Sequence, residues 1–251
     1  MIKGLRVVLN TLEKLFQKKA SANPGWSLSH CFACSQRIRK GMLFQEDQVA
    51  FCERCFHSTP CWCCHLPCGP LHRRLSDERI VCQHCYGTAL LSPRQLGPLY
   101  EGTIRFFQKQ MKMRLKTRPR LKVTDQRFLL KEFGIADHTF GLYTESAEEE
   151  TIFIITGIAE DRAWITLAHE LTHFWQKRNC PNPQDLALLE GFAEWTAYKL
   201  AEHHELYRAM LSMRRNVAEP YHTGLHTLLA LEQKLGVQGV IQFARTETGW
   251  N

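Results

Sequence analysis

The arrangement of apolar and polar positions divides the chain into stretches with different periods. Residues 1–20 place Ile2, Leu5, Val8, Leu12 and Leu15 or Phe16 on one stripe, with Lys3, Arg6, Lys14 and Lys18 off it. This predicts a basic amphipathic helix, which suits packing on the body of the protein or lying on a membrane surface. The turn residues of SANPGWS then mark a linker at 21–27. Short apolar runs between residues 28 and 90 suit hairpins. Over 97–115 the spacing of Tyr100, Ile104, Phe107 and Met111 predicts a helix with those residues inward. Alternating cations from Lys112 to Lys122 come next, at the period of a strand with a solvated edge. TFGLYT (139–144) and TIFIITG (151–157) predict two strands joined by the acidic turn ESAEEE, and the pattern is helical from Ala159 nearly to the end. The pattern shows no internal repeat. The expected fold class is α+β: an amphipathic helix and linker (1–27), a small cysteine-rich β module (28–90), and a domain (91–251) with a small sheet and a mostly helical second half.

Composition narrows the class. At 251 residues, with 44% hydrophobic and 23% charged positions, the chain is an ordinary globular one. No stretch approaches the roughly 18 apolar residues of a spanning helix. The first residues lack the apolar core and cleavage site of a secretory signal. The net charge of +7 is too small to argue for nucleic acid. Eleven cysteines change the picture, because ten fall between Cys31 and Cys85. In a chain read as cytoplasmic, that density points to metal rather than disulfides.

The cysteine spacing is regular. Cys31-x2-Cys34 is followed after 17 residues by Cys52-x2-Cys55, then after five by Cys61-x2-Cys64, and after another 17 by Cys82-x2-Cys85. Each C-x2-C turn aims two thiolates at one point, and two turns complete a tetrahedral zinc shell. The predicted sites are Cys31, Cys34, Cys52, Cys55 and Cys61, Cys64, Cys82, Cys85. Around the second, Cys63, His65 and Cys68 offer alternative ligands. The pattern resembles a LIM domain, with a cysteine (Cys52) where the third ligand is usually histidine and a longer gap between the two units. That resemblance implies a protein partner or an internal docking face.

In WITLAHELTHFWQKR, His169 and His173 stand four residues apart on one helix face, with Glu170 beside them. Both imidazoles can bind one zinc while the Glu170 carboxylate serves as general base to the water. The next helix, LLEGFAEWTAYKL, offers the third ligand. Glu190 is the choice, with Gly191 after it permitting close backbone approach and EGFA resembling a segment of zinc aminopeptidases. Glu194, one turn on, is the rival, and otherwise an outer partner of a ligand histidine. Asp185 is a more distant alternative.

With these residues the chain resembles a gluzincin metallopeptidase. More closely, it resembles the LIM-domain peptidases known as ubiquitin-activated regulators of organ growth in plants. The matching pieces are the LIM-like module, Gly141-Leu142, Ala168 to His173, Glu190-Gly191, and Tyr221 with Gly224. The plant proteins carry ubiquitin-interacting motifs ahead of the LIM region. Residues 1–27 have no such acidic helix, so a compact relative of bacterial type fits better. The resemblance implies hydrolysis of peptide bonds in protein or peptide substrates, with one catalytic and two structural zinc ions. It implies Tyr221 as oxyanion donor, with His222 and His226 as rivals. Cys180 reads as a free thiol or as a cysteine that caps the metal in a latent form. Two other readings stand beside the peptidase: a non-catalytic LIM-like adaptor with a structural zinc in the helical domain, and nucleic-acid binding through the basic run, which the lack of interleaved aromatics disfavours.

Overall fold

A computed structural model of the chain describes residues 29–44, 49–135 and 139–250. The expected helix over 1–20 and the linker over 21–27 lie outside the described residues. The described part is a mixed α+β fold, built of several small sheets and a helical second half.

The cysteine-rich region consists of two units of one design. In the first, the hairpin β1 (Gly41–Phe44) and β2 (Val49–Cys52) pairs Gly41 with Cys52, and the short helix α1 (Glu53–Phe56) comes directly after it. The second has β3 (Arg73–Arg74), β4 (Ile80–Val81) and α2 (Gln83–Gly87). Cys52 and Cys82 are the N-cap residues of the two helices. The turns ahead of the hairpins also correspond. Cys31 N–H donates to Gln36 O and Cys61 N–H to Leu66 O, both at 2.8 Å. Ser35 and His65, each directly after the second cysteine of its turn, take φ of 60° and 61°. A repeat at an offset of 30 residues (31 to 61, 55 to 85) is therefore present, which corrects the sequence reading that saw none. Outside the cysteines the two copies share almost no side chains, so the repeat is carried by backbone geometry.

The units differ in what they bury. The first has its own small core, with Cys31, Phe32, Val49, Phe51 and Cys55. The second belongs to the main core, where its cysteines and Val81 join the helices. The His84 ring stacks on Phe32 at 3.9 Å and ties the two units together. Two further contacts tie the second unit to the α+β domain. β5 (Ala89–Leu90) pairs antiparallel with β9 (Ile158–Ala159). Arg79, 6% exposed, bonds Asp77 Oδ2 at 2.8 Å and the Thr156 carbonyl, and lies 4.6 Å over the Trp62 ring.

The helix expected over 97–115 is α3 (Pro93–Lys109), started earlier by a Ser92–Gln95 capping box with proline at its first position. Tyr100, Ile104 and Phe107 face inward as expected, and Met111 is buried just beyond the helix end. Of the alternating basic run only β6 (Arg120–Thr124) is a strand. It lies at the edge of a three-stranded sheet ordered β6-β8-β7, parallel to β8 (Glu150–Ile155), while β7 (Gly141–Glu145) is antiparallel at the other edge. Three of the six cations of the run are paired: Arg118 with Glu101, Arg120 and Lys122 with Glu149. The short helix α4 (Gln126–Phe133), capped by Asp125, was not expected. The second half is helical as predicted: α5 (Glu160–Asn179), α6 (Leu186–His203), α7 (Tyr207–Arg215) and α8 (Tyr221–Thr246), the last bent at Gly236. Among the described residues no helix is long and apolar enough to cross a membrane.

Candidate metal centre and cleft

Helices α5 and α6 lie side by side and aim polar groups at each other through an apolar interface. His169 and His173, one turn apart on α5, and Glu190 on α6 converge, with their ligand atoms all within 4.8 Å of one another. The His169 and His173 Nε2 atoms are 3.1 Å apart, and Glu190 Oε2 lies 3.2 and 3.4 Å from them. Ligands at about 2.0–2.1 Å around one tetrahedral ion stand about 3.3–3.4 Å apart. The triangle fits one zinc-sized ion, and one of its members, His169, lines a cleft.

The cysteines pass the same test. Cys31, Cys34, Cys52 and Cys55 form one cluster and Cys61, Cys64, Cys82 and Cys85 another. Cys34 Sγ and Cys52 Sγ are 4.0 Å apart, and Cys64 Sγ and Cys82 Sγ 3.8 Å. A tetrahedral shell with metal–sulfur bonds of about 2.3 Å has sulfur atoms about 3.8 Å apart, whereas a disulfide needs about 2.05 Å. All eleven cysteines are free thiols. Each tetrad can hold a metal ion. Cys63 and Cys68 are buried beside the second tetrad, and His65 sits next to Cys64 at the lip of the cleft.

The carboxylates around His169 play different parts. Glu190 faces Nε2, the atom turned to the ion position, while Glu194 Oε2 sits 3.3 Å from the opposite ring nitrogen, Nδ1. Burial disfavours charge on His169, yet Glu190 and Glu194 outweigh it and lift the pKa to about 10. Burial likewise opposes charge on Glu190, but His169 and His173 hold it below the usual carboxylate range. Asp185 is elsewhere. It caps α6, accepting from Ala187 N and Leu188 N, and that accounts for its chemistry.

Sequence reasoning missed Gln176. This buried amide stands 3.0 Å from His173 Nδ1 and donates to Leu189 O at 2.8 Å, fixing the ring against the start of α6. Its place three residues after His173 was the available signal.

Glu170 is buried and takes no part in the triangle. Its Oε2 accepts from Tyr143 N at 2.8 Å. This bond orients the edge strand. Tyr143 N–H points away from β8, and in an antiparallel ladder a residue's N–H and C=O face the same side. Gly141 and Glu145, two residues either way, share that outward side. Of this outward row, Gly141 lines the cleft and Tyr143 N–H is taken by Glu170. Gly141 is required there because a Cβ would come within 2.6 Å of Thr166 Cγ2.

The cleft in front of the triangle has a volume of about 620 Å³. Its walls are β7 and the loop before it, α5, the α7–α8 junction, and residues 64–66 of the second cysteine unit. Tyr221, first residue of α8, lines it with its ring 5.9 Å from that of His169. Burial, then the charges of Glu190, Glu170 and Glu194, push its pKa up to about 12, so its hydroxyl keeps its proton at neutral pH. The rivals point elsewhere, His222 Nδ1 2.8 Å from Asn216 O and His226 Nε2 3.3 Å from Arg214 O. Cys180 ends α5 outside the cleft lining.

Two glycines set the position of Tyr221. A Cβ on Gly191 would lie 2.4 Å from Gly224 Cα, and one on Gly224 2.3 Å from Gly191 Cα. Helices α6 and α8 therefore touch backbone to backbone one residue after Glu190 and three after Tyr221. Compared with known proteins, the chain matches no family model, no curated protein and no solved structure.

Proposed function

We propose that this protein is a zinc-dependent peptidase with a LIM-like double zinc module, similar to the LIM-domain peptidases of plants. The observation that carries the reading is the pairing of the His169–His173–Glu190 triangle with a separate buried carboxylate, Glu170, at the edge of a strand exposed to a cleft. A structural zinc site has no use for that fourth acidic group, which weighs against the adaptor reading. Paired cations along β6 weigh against the nucleic-acid reading in the same way.

Bound at the triangle, a zinc ion would polarise the scissile carbonyl and acidify a water molecule. The protein's own groups do the rest. The outward backbone of β7 holds the substrate extended across Glu170. Glu170 takes a proton from the attacking water and returns it to the leaving amine. Tyr221 O–H donates to the oxygen on which negative charge develops. Glu194 and Gln176 keep the two imidazoles in the tautomer that leaves Nε2 bare for metal. Two further zinc ions would be held by the cysteine tetrads and would hold the module together, and the free thiols suit the cytoplasm.

The test is Glu170→Gln, nearly isosteric and outside the ligand triangle. Zinc content and melting temperature should stay as in the wild type, while hydrolysis of a casein-type substrate falls about 10²–10⁴-fold. Equal turnover by the two proteins, or a wild-type zinc-loaded chain inert against a broad peptide library, would overturn the peptidase reading.

A further inference from the structure

Arg162 is not absorbed by that mechanism. It lies on α5 seven residues before His169, two turns back on the same face, where the cleft meets a second cavity of about 350 Å³. Its guanidinium is held from two sides. Nη2 donates to Ser212 Oγ at 3.1 Å, and Cζ sits 4.9 Å from the Phe140 ring centroid. Among the described residues no carboxylate comes within ion-pairing distance of it. Other cations on α5 differ, since Lys177 pairs with Glu145 and Arg178 with Glu150. Apart from Glu170 and Glu194 at the metal end, the charged groups facing the cleft are Arg162 and Arg215, so its far end is positive.

The direction of the cleft comes from β7. The strand runs alongside α5 in the same sense: Phe140 lies at Arg162, Tyr143 at Glu170, and Glu145 at Lys177. A peptide added antiparallel to β7, the commoner pairing, runs its C-terminal residues toward Arg162. Seven residues of helix rise about 10.5 Å, which an extended chain covers in about three residues. We infer that Arg162 is a specificity residue that binds a carboxylate of the substrate about three residues beyond the scissile bond, on its C-terminal side. The shared chemistry is a carboxylate, supplied by a glutamate or aspartate side chain or by a free C-terminus. This inference rests on the peptidase reading for its direction, but the binding it requires needs no turnover.

The experiment uses the full chain carrying Glu170→Gln, zinc-loaded, and measures fluorescence anisotropy of rhodamine-labelled nonapeptide pools. Three matched pools carry an internal glutamate with an amidated end, glutamine with a free C-terminal carboxylate, and glutamine with an amidated end. One or both carboxylate pools should bind about 10–100-fold tighter than the neutral pool, as a charge-assisted fork does, and the pool that does so identifies the source. Adding Arg162→Met should level the three. Adding Arg162→Glu instead should favour a lysine-containing pool, a gain that misfolding cannot produce. Sites cut by the wild type should carry an acidic residue or chain end about three residues after the cut. Equal binding of all pools, no binding of any, or a carboxylate preference that survives Arg162→Met overturns the inference. A wild type that binds carboxylate pools through Arg162 but cuts nothing would defeat the peptidase reading and leave Arg162's recognition standing.

Discussion

At the scale of single residues the site is an arrangement of like chemistry in unlike surroundings. Three glutamates, Glu170, Glu190 and Glu194, stand around one imidazole, and what separates them is the atom each one faces. This predicts separable losses. Glu190→Ala removes a corner of the triangle, and metal analysis should find the third zinc gone together with activity. Glu194→Ala and Gln176→Ala remove only groups behind the rings. Each should keep the metal while weakening it about 10–100-fold in a competitive chelator titration. The opposite ranking of Glu190 and Glu194 would mean their roles are exchanged. Most of this was legible in the sequence, because four-residue spacing on a helix fixes which side chains share a face. The choice between Glu190 and Glu194 was harder, since both lie on that face. Which one reaches Nε2 depends on the rotation of α6 against α5.

At the scale of elements, the contact that sets the cleft is the crossing of α6 and α8 at Gly191 and Gly224. A methyl group at either position meets backbone, which cannot swing aside. Gly191→Ala or Gly224→Ala should therefore lower stability by about 1–3 kcal/mol, as overpacking does, seen as an earlier denaturant midpoint. Because Tyr221 rides on α8, turnover should fall further than the stability loss accounts for. An alanine variant that melts and turns over as the wild type would show that α8 gives way freely at this contact. The sheet shows the limit of pattern reading. The alternation from Lys112 to Lys122 has a strand's period, but pairing partners exist only beside β8, so the strand is confined to Arg120–Thr124. In the reverse direction, α4 was missed because eight residues carry too little periodicity to stand out against neighbouring strands.

At the scale of the whole molecule, the two cysteine units should respond differently to loss of metal. The first has a small core of its own, while the second shares the main core. Cys52→Ser should release amide protection in residues 29–44 and 49–56 and leave α5 and α6 protected in hydrogen exchange. Cys82→Ser should lower the melting temperature of the entire chain. Uniform loss from both would contradict the division. Arg79 forms an ion pair with Asp77 inside the second unit and ties that unit to the end of β8 through its hydrogen bond to the Thr156 carbonyl. Its side chain and that of Asp77 are 4% and 2% exposed, and removing one partner of a buried pair costs about 3–5 kcal/mol. Arg79→Ala should lower the denaturant midpoint accordingly, with Asp77→Asn, Arg79→Met restoring part of the loss because no charge is then left buried.

The sequence alone picked out the cysteine pairs and the His169–His173 pair that could hold metal, because metal chemistry asks only for donor atoms at short, fixed separations along a turn or a helix, but it left Glu190 against Glu194 to the packing of α6 on α5. It also determined the helical second half, where periodicity runs long enough to be unambiguous. It did not show the 30-residue repeat, since that likeness lies in backbone torsions that different side chains can satisfy. Nor did it show that residues 64–66, Phe140 and Arg162 share a cleft with His169. Those positions are up to about a hundred residues apart along the chain, and no local pattern encodes the packing that brings them together. Only the docking of the second cysteine unit on the α+β domain, through the β5–β9 pairing and the Arg79–Thr156 bond, decided it.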